Sequence, residues 1–370
     1  MGSLPGILDW LDHDVFMKIL MCLDNPSDLV RASCVSRSWR QFVIENGLSK
    51  QMCLRMFKYL NGVVSVIEPS CGGDTSLKVG CSKFMEWENL EREHRVYSFL
   101  AHGCTSFTLQ ECVLDAISAS STDNSPLESI HNTLVPTDRI GRRASYWSSK
   151  GQSNPMVPEM LIYKLVADVC VITEISIRPF QAYFQLGMPI YSAKSVCFRM
   201  GHPKFPMDEA MGEPSDNCAD NNFVWTYISP EFPMVQENCL QKFELPEPVI
   251  CIGGILMVEL LGRVQRQEID NLFYICVSHV QVMGRPLSPA FGVEILEPSG
   301  KFLLKAQSYN QRNIPEHDIR PFPGADMLYG VRDLERIVNM LRGPEIVIAG
   351  YDWNAENDES DEEIDAAFAD

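Results

Sequence analysis

The sequence predicts an α+β chain of several parts, three short helices at the N-terminus followed by an antiparallel β-sandwich with flanking helices. Three observations predict it. Before Phe57, apolar residues recur at helical spacing, Leu11, Val15, Ile19 and Leu23 lying four apart. From about Thr105 the apolar period shortens to two, as in Val171, Thr173, Ile175 and Ile177. No helix-length pattern interrupts the later strands, which favours an antiparallel sandwich over a parallel α/β sheet. The divisions read as a helical unit over residues 1–60, a linker loop and helix over 61–104, the sandwich over 105–286, a C-terminal extension with a helix over 287–350, and a disordered acidic tail over 351–370.

Taken in order, Asp12 is placed to cap a first helix that carries Phe16 and Leu20 beside the four-residue repeat. Asp24, Asn25 and Pro26 break that helix and start a second, because a side-chain acceptor followed by proline suits a helix N-terminus. The second carries Leu29, Val30 and Ala32. Ser36 caps a third, with Val35, Trp39, Phe42 and Val43 on its apolar side and Arg37 and Arg40 outside. Three helices this short bury too little surface to be secure alone. Their apolar positions also exceed what they can hide from one another, so some face another protein.

The run Leu11-x-x-Asp14-x-x-x-x-Ile19-Leu20-x-x-Leu23, followed by Asp28-Leu29-Val30-x-Ala32-Ser33-x-Val35-Ser36-Arg37-x-Trp39-Arg40, resembles an F-box. That resemblance implies docking on a Skp1-type adaptor, and through it a cullin, in a ubiquitin ligase. The residues it assigns to adaptor binding are Leu11, Val15, Ile19, Leu20, Leu23, Leu29, Val30, Val35, Trp39 and Phe42. One departure stands out: the usual Leu-Pro opening is Leu11-Asp12 here, which leaves the start of the first helix less rigid. The alternative reading is an ordinary helical cap on a larger domain.

Asn61 to Ser82, with Gly62, Pro69, Gly72, Gly73 and Gly80, reads as a loop. Phe84, Trp87, Leu90, His94 and Tyr97 then mark a helix that Gly103 ends, and His94 reads as a packed histidine. Among the strands that follow, Ile250 to Leu261 is apolar on both faces and so belongs at a sheet centre. In the last strand Phe273, Ile275 and Val277 share one parity and Val280 and Val282 the other, which predicts a bulge near Ser278 and His279. Trp147 and Trp225 read as core. Leu328, Val331, Leu334, Val338 and Leu341 mark a C-terminal helix from about Asp326, and Glu345 to Trp353 a strand. Ser360, set among acids, resembles an acidophilic-kinase site beside the plainer reading of a solubilising tail.

Ala116 to Ser121, Tyr146-Trp147-Ser148-Ser149, Leu161 to Leu165, the strand at Ile175 and the closing Val280-x-Val282-x-Gly284-Arg285 are similar in order to discoidin-like, galactose-binding-like jelly rolls. That likeness implies a binding end made by loops, here Thr122 to Asp138, Pro179 to Ala193 and Pro203 to Asn222. Phe180, Tyr183, Phe184 and Tyr191 in the middle loop are the candidate ligand contacts, since loop aromatics stack on sugars or anchor peptides. They equally suit a cover over the open end of the core.

Bulk properties narrow the function. The net charge is −18; nine acids and no bases lie in Asp352–Asp370, and the remainder carries −9, which disfavours nucleic acid as a partner. No run reaches the roughly 18 to 20 apolar residues that cross a bilayer, so no membrane partner is expected. The acidic N-terminus is unlike a signal peptide, and thirteen scattered cysteines without a Cys-x-x-Cys pair suit a reducing compartment. The expected setting is cytoplasmic or nuclear. No Gly-x-Ser-x-Gly elbow, Walker loop, His-Glu-x-x-His or dinucleotide fingerprint occurs, so the reading has no catalytic residue, metal or cofactor. It is a non-catalytic receptor that brings an unknown protein or glycoprotein to the ligase. The alternatives are a lectin-like protein bearing the same helical motif and, behind it, a hydrolase with an interaction cap.

Overall fold

Local capping starts the helices where the sequence places them. Asn25 accepts from the Ser27 N–H at 2.9 Å with Pro26 at the first helical position, and Ser36 accepts from the Trp39 N–H at 3.3 Å. Helix α1 spans His13–Met21, α2 Pro26–Ser33 and α3 Arg37–Glu45. Asp12 sits at the N-cap of α1 without a side-chain cap bond, at φ −60°, the value a proline would impose. A fourth helix, α4 (Leu48–Met56), was not among the three expected; Gly47, at φ +57°, makes the left-handed turn into it. Phe16, Leu20, Leu29, Val43, Leu48 and Met52 form the core of these four helices. The computed structural model describes residues 11–68, 82–204, 222–296 and 301–307, all within one unit of the chain. The helix expected from Asp326, the strand from Glu345, Ser360 and the acidic tail lie outside the described residues.

The expected loop after residue 60 contains a strand, β1 (Val63–Ile67). Helix α5 (Ser82–Ser106) then runs past Gly103 instead of ending there. Gly103 is buried, and a Cβ on it would lie 3.3 Å from Leu287 and 3.4 Å from Phe107, so close packing and not a turn explains the glycine. Against α4, Ser49 Oγ lies 2.9 Å from both His94 Nδ1 and Ser98 Oγ, Lys50 pairs with Glu93 at 3.0 Å, and the Cys53 thiol donates to the Tyr97 carbonyl. His94 is therefore a packed residue of this helix pair.

The sandwich begins with β2 (Gln110–Glu111) and β3 (Val113–Ala119). Short strands β4 (Arg139–Ile140), β5 (Arg143–Ala144) and β6 (Trp147–Ser148) precede β7 (Glu159–Leu165), β8 (Val169–Gln181) and β9 (Ile190–Tyr191). Next come β10 (Ala193–Pro203), β11 (Phe223–Ile228), β12 (Phe232–Pro233), β13 (Gln241–Ile252), β14 (Ile255–Arg263) and β15 (Cys276–Pro286). One sheet has the order β11-β10-β14-β7-β3 with β12 on β10. The other has the order β13-β8-β15-β2 with β6 on β15 and β9 on β8. Pairing within both sheets is antiparallel. Inward residues such as Tyr163, Ile175, Phe198, Val258 and Val280 fill the space between the sheets, as period-2 alternation requires.

The run from Ile250 to Leu261 is two strands and not one. It breaks at Gly253 and Gly254, both at positive φ, where a Cβ on Gly253 would meet His202 Cβ at 2.2 Å. β14 is central as expected, but β13 is an edge strand. Its two-sided apolar character has another cause: Ile250 and Ile252, with Val169 and Val171 of β8, pack outward under Val96, Leu100 and Ala101 of α5. The bulge is where parity places it, between Val277 and His279. Trp147 is core, whereas Trp225 is half-buried outside the sandwich core, packed on Ile162, Ile255 and Met257.

Two further strands, β16 (Phe291–Ile295) and β17 (Phe302–Ala306), follow β15. β17 pairs antiparallel with β16 and parallel with β1, closing the chain back onto the segment after α4. Following strand directions, α5 and β17 lie toward one end of the sandwich with the turn at Gly253. The loops 120–158, 182–192, 229–240 and 264–275 gather at the other.

Candidate docking and binding surfaces

The helical phase sorts the ten candidate adaptor residues. Val15 (45% exposed) and Ile19 (49%) lie one turn apart on the outer side of α1, and Val30 (38%) and Val35 (63%) extend the exposed set along α2 and its exit. Leu20 (3%) and Leu29 (2%) point inward, so they build the unit instead of offering a contact. Leu11, Leu23, Trp39 and Phe42 are half-buried against the same core. Phe16 anchors them, with Trp39 and Phe42 edge-on at ring distances of 4.7 Å. Arg55 of α4 donates to the Met21 and Leu23 carbonyls and lies 3.6 Å from Asp24, tying down the end of α1.

At the far end of the sandwich, strand pairing sorts the four candidate aromatics. Phe180 and Tyr191 face each other across β8 and β9 and are buried. Phe180 stacks on Tyr146 at 3.8 Å, and the Tyr191 hydroxyl donates to Gln185 Oε1 at 2.6 Å. Burial pushes the Tyr191 phenol up to about 12. These two rings are cover for the core. Tyr183 is half-buried and Phe184 exposed. The connection from β8 to β9 is ordered by backbone bonds from Ala182 to Pro189, Gln185 to Ala182 and Met188 to Gln185, with Gly187 and Met188 at positive φ. It carries Leu186 at its tip, 97% exposed, and exposed Met188.

Sequence reasoning missed most of this surface. Leu127, Met156, Leu186, Met188, Val264 and Ile269 are all exposed on loops of this end. The signal available was apolar residues within Pro-, Gly- and Asn-rich loops, where water-facing polar residues are the norm. Of the three loops expected together, Pro179 to Ala193 meets the segment just after Thr122 to Asp138, through the Tyr146–Phe180 stack and the Arg139–Tyr183 contact at 3.7 Å, and Tyr146 in turn donates to Glu128 of the first loop. The roots of the third, Pro203 and Phe223, pair at the opposite end near Gly253, and most of that loop lies outside the described residues.

A buried polar network holds the loops of this end. The Arg263 guanidinium donates to Ser149 Oγ at 2.8 Å, to the Lys150, Phe273 and Val157 carbonyls at 2.9, 3.1 and 3.2 Å, and to Glu159 Oε1. Glu159 also accepts from Ser120 and from Ser121, the latter at 2.8 Å, while the Trp147 indole donates to the Ser121 carbonyl at 3.1 Å. Nearby, burial raises the pKa of Glu128, which accepts from Tyr146 at 2.7 Å; burial and then Asp270 raise that of Asp123. Among the described residues no group of three or more His, Cys, Asp and Glu side chains is placed to hold a metal ion, and no helix is long and apolar enough to cross a membrane.

Exposed apolar side chains thus fall into two sets, one on the helical unit and one on the loop end of the sandwich. Residues 13–55 match the family described as F-box-like. An F-box protein of Arabidopsis thaliana is 51% identical over 361 residues, covering 94% of this chain and 96% of that protein. The chain belongs to the F-box protein family. Solved structures with a similar fold over about half of the chain include CBM32-3 from a family 31 glycoside hydrolase of Clostridium perfringens, with TM-score 0.31, 13% identity and coverage of 46% of this chain and 90% of that one. The family 32 module of C. perfringens NanJ, in complex with galactose, has TM-score 0.28, 12% identity and coverage of 47% and 93%. Reduced XRCC1, bound to the DNA pol beta catalytic domain, has TM-score 0.30, 12% identity and coverage of 47% and 97%.

Proposed function

We propose that this chain is the non-catalytic substrate-recognition subunit of an SCF-type cullin-RING ubiquitin ligase, acting in the cytoplasm or nucleus. Val15, Ile19, Val30 and Val35 dock a Skp1-type adaptor, and the loop end of the sandwich holds a protein target. The observation that carries the reading is the exposure of those four aliphatic residues on a unit whose residues 13–55 match the F-box-like family. The half-buried Leu11, Leu23, Trp39 and Phe42 pack against the core of the same unit. The mechanism is proximity: holding a target lysine near the charged conjugating enzyme raises its effective concentration without a catalytic group on this chain.

Co-purification with a Skp1-type adaptor tests it. Burying each aliphatic side chain contributes about 1.5–3 kcal/mol, so the combined variant Val15→Asp, Ile19→Asp and Val35→Asp is expected to lose adaptor binding by at least about a hundredfold. Because these positions face water, its helicity and melting temperature stay at the wild-type values. Full adaptor binding by that folded variant would overturn the proposal.

A further inference from the structure

The loop end carries a basic feature that the acidic character of the chain does not predict. Arg139, Arg142 and Arg143 fall within five residues on the β4–β5 hairpin of a protein whose net charge is −18. The hairpin turns through Gly141, at φ +63°. All three arginines are exposed, and none has an ion-pair partner within 4.0 Å among the described residues. Arg139 is not loose, however. Its guanidinium lies 3.7 Å from the Tyr183 ring centroid, so the ring fixes its plane while its donors stay open to a second partner. Tyr183 packs edge-on against Phe184 at 5.5 Å, and the same ordered loop carries Leu186 and Met188 into solvent.

From this juxtaposition we infer that the target segment recognised at the loop end is acidic and apolar together. Carboxylates sit on Arg139 and Arg142, and a neighbouring large aliphatic or aromatic side chain lies against Phe184 and Leu186. The inference rests on the proposed receptor role and names the chemistry of its target. Charge complementarity selects this occupant. A planar guanidinium already held on an aromatic face binds a carboxylate in a forked pair at low ordering cost, and arginine and tyrosine beside exposed aliphatics have the composition of an interface centre.

The test uses the full-length protein with its adaptor and a library of short fluorescent peptides in which Asp or Glu alternates with Leu or Phe. A matched library carries Asn and Gln in place of the acids. The acidic peptides are expected to bind saturably and the amide peptides at least about tenfold more weakly, the loss of one charge-assisted pair. Binding weakens as salt rises from 0.05 to 0.5 M. Arg139→Gln and Leu186→Ser each reduce affinity about tenfold or more, while both variants, altered only at the surface of the far end, still co-purify with the adaptor. Equal binding of the two libraries, no binding of either, or wild-type affinity in Arg139→Gln would overturn the inference. So would vesicles of phosphatidylserine capturing the protein through the same arginines when the peptides do not. Adaptor binding is read in the same samples, so a failure of the receptor role shows as loss of the adaptor and a failure of this inference as loss of the peptide alone.

Discussion

Replacing Arg263 by methionine isolates the network that holds the loop end. The guanidinium is wholly buried and Glu159 nearly so. Arg263→Met leaves the Glu159 carboxylate with only the Ser120 and Ser121 hydroxyls, and removes the donor from Ser149 Oγ and from the carbonyls of Val157, Lys150 and Phe273. Stranding one charge of a buried pair costs about 3–5 kcal/mol. At about 2–4 °C per kcal/mol for a unit of this size, the melting temperature drops by roughly 6–20 °C. The double variant Glu159→Met, Arg263→Met removes both charges and replaces them with apolar volume, so it recovers most of the loss. Urea denaturation of the wild type, both single variants and the double variant measures the coupling. A cost below about 1 kcal/mol for Arg263→Met at pH 7.5, or a double variant destabilised by the sum of the singles, would refute the argument.

Two other perturbations follow from the packing. His279 is buried with Nδ1 2.8 Å from the Thr133 carbonyl, and burial, assisted by Arg178 and opposed by that carbonyl, lowers its pKa; a depressed folded value means that stability present above about pH 6.5 is lost as pH falls below it, so the urea midpoint declines from pH 7.5 to 5.5 and declines less in His279→Gln. Leu304 of β17 is fully buried in the cluster shared by α5, β8 and β13; Leu304→Ala is expected to cost about 2–5 kcal/mol and to speed limited proteolysis near β1, and unchanged cleavage there would disconnect β17 from that joint.

What the sequence disclosed was whatever a few neighbouring residues decide. Asn25-Pro26 and Ser36 fix helix starts through bonds two or three residues long, and the parity change around Ser278 is a bulge because alternation is itself local. Elements made by distant partners were hidden. β1 has an ordinary valine-rich sequence that becomes a strand by lying parallel to β17, at the far end of the described chain, and Ile250 to Leu261 looked like one central strand because α5 covers the outer face of β13. The candidate site was legible at the level of the segment and not of the side chain. A shift of one residue separates Val15 and Ile19, which face water, from Phe16 and Leu20, which face the core. Only the position of α4 and the other helices sets that phase. In the aromatic loop, Phe180 and Tyr191 were claimed by strand pairing, leaving Tyr183, Phe184 and the overlooked Leu186 at the surface.

The joint between the two surfaces bears on how a receptor of this kind would work. A free linker over Asn61 to Ser82, about 20 residues, would let the sandwich wander by roughly 25 Å about its tether. The structure instead continues α4 into Phe57 and Leu60, which share a core with Val96, Tyr97 and Leu100 of α5 and with Ile250 and Val171 of the sandwich. β1 adds a parallel pairing to β17. The helical unit is thus held to the sandwich by one apolar cluster contributed from before, within and after the sandwich sequence. β8 alone extends for 13 residues, roughly 40 Å at about 3.3 Å each, from the α5 contact to Phe180. Under the receptor reading, a target seated on Tyr183 and Leu186 would be joined to the helical unit through this cluster and the length of β8, and changes that soften the α5 cluster would reduce transfer to the target while leaving both binding surfaces intact.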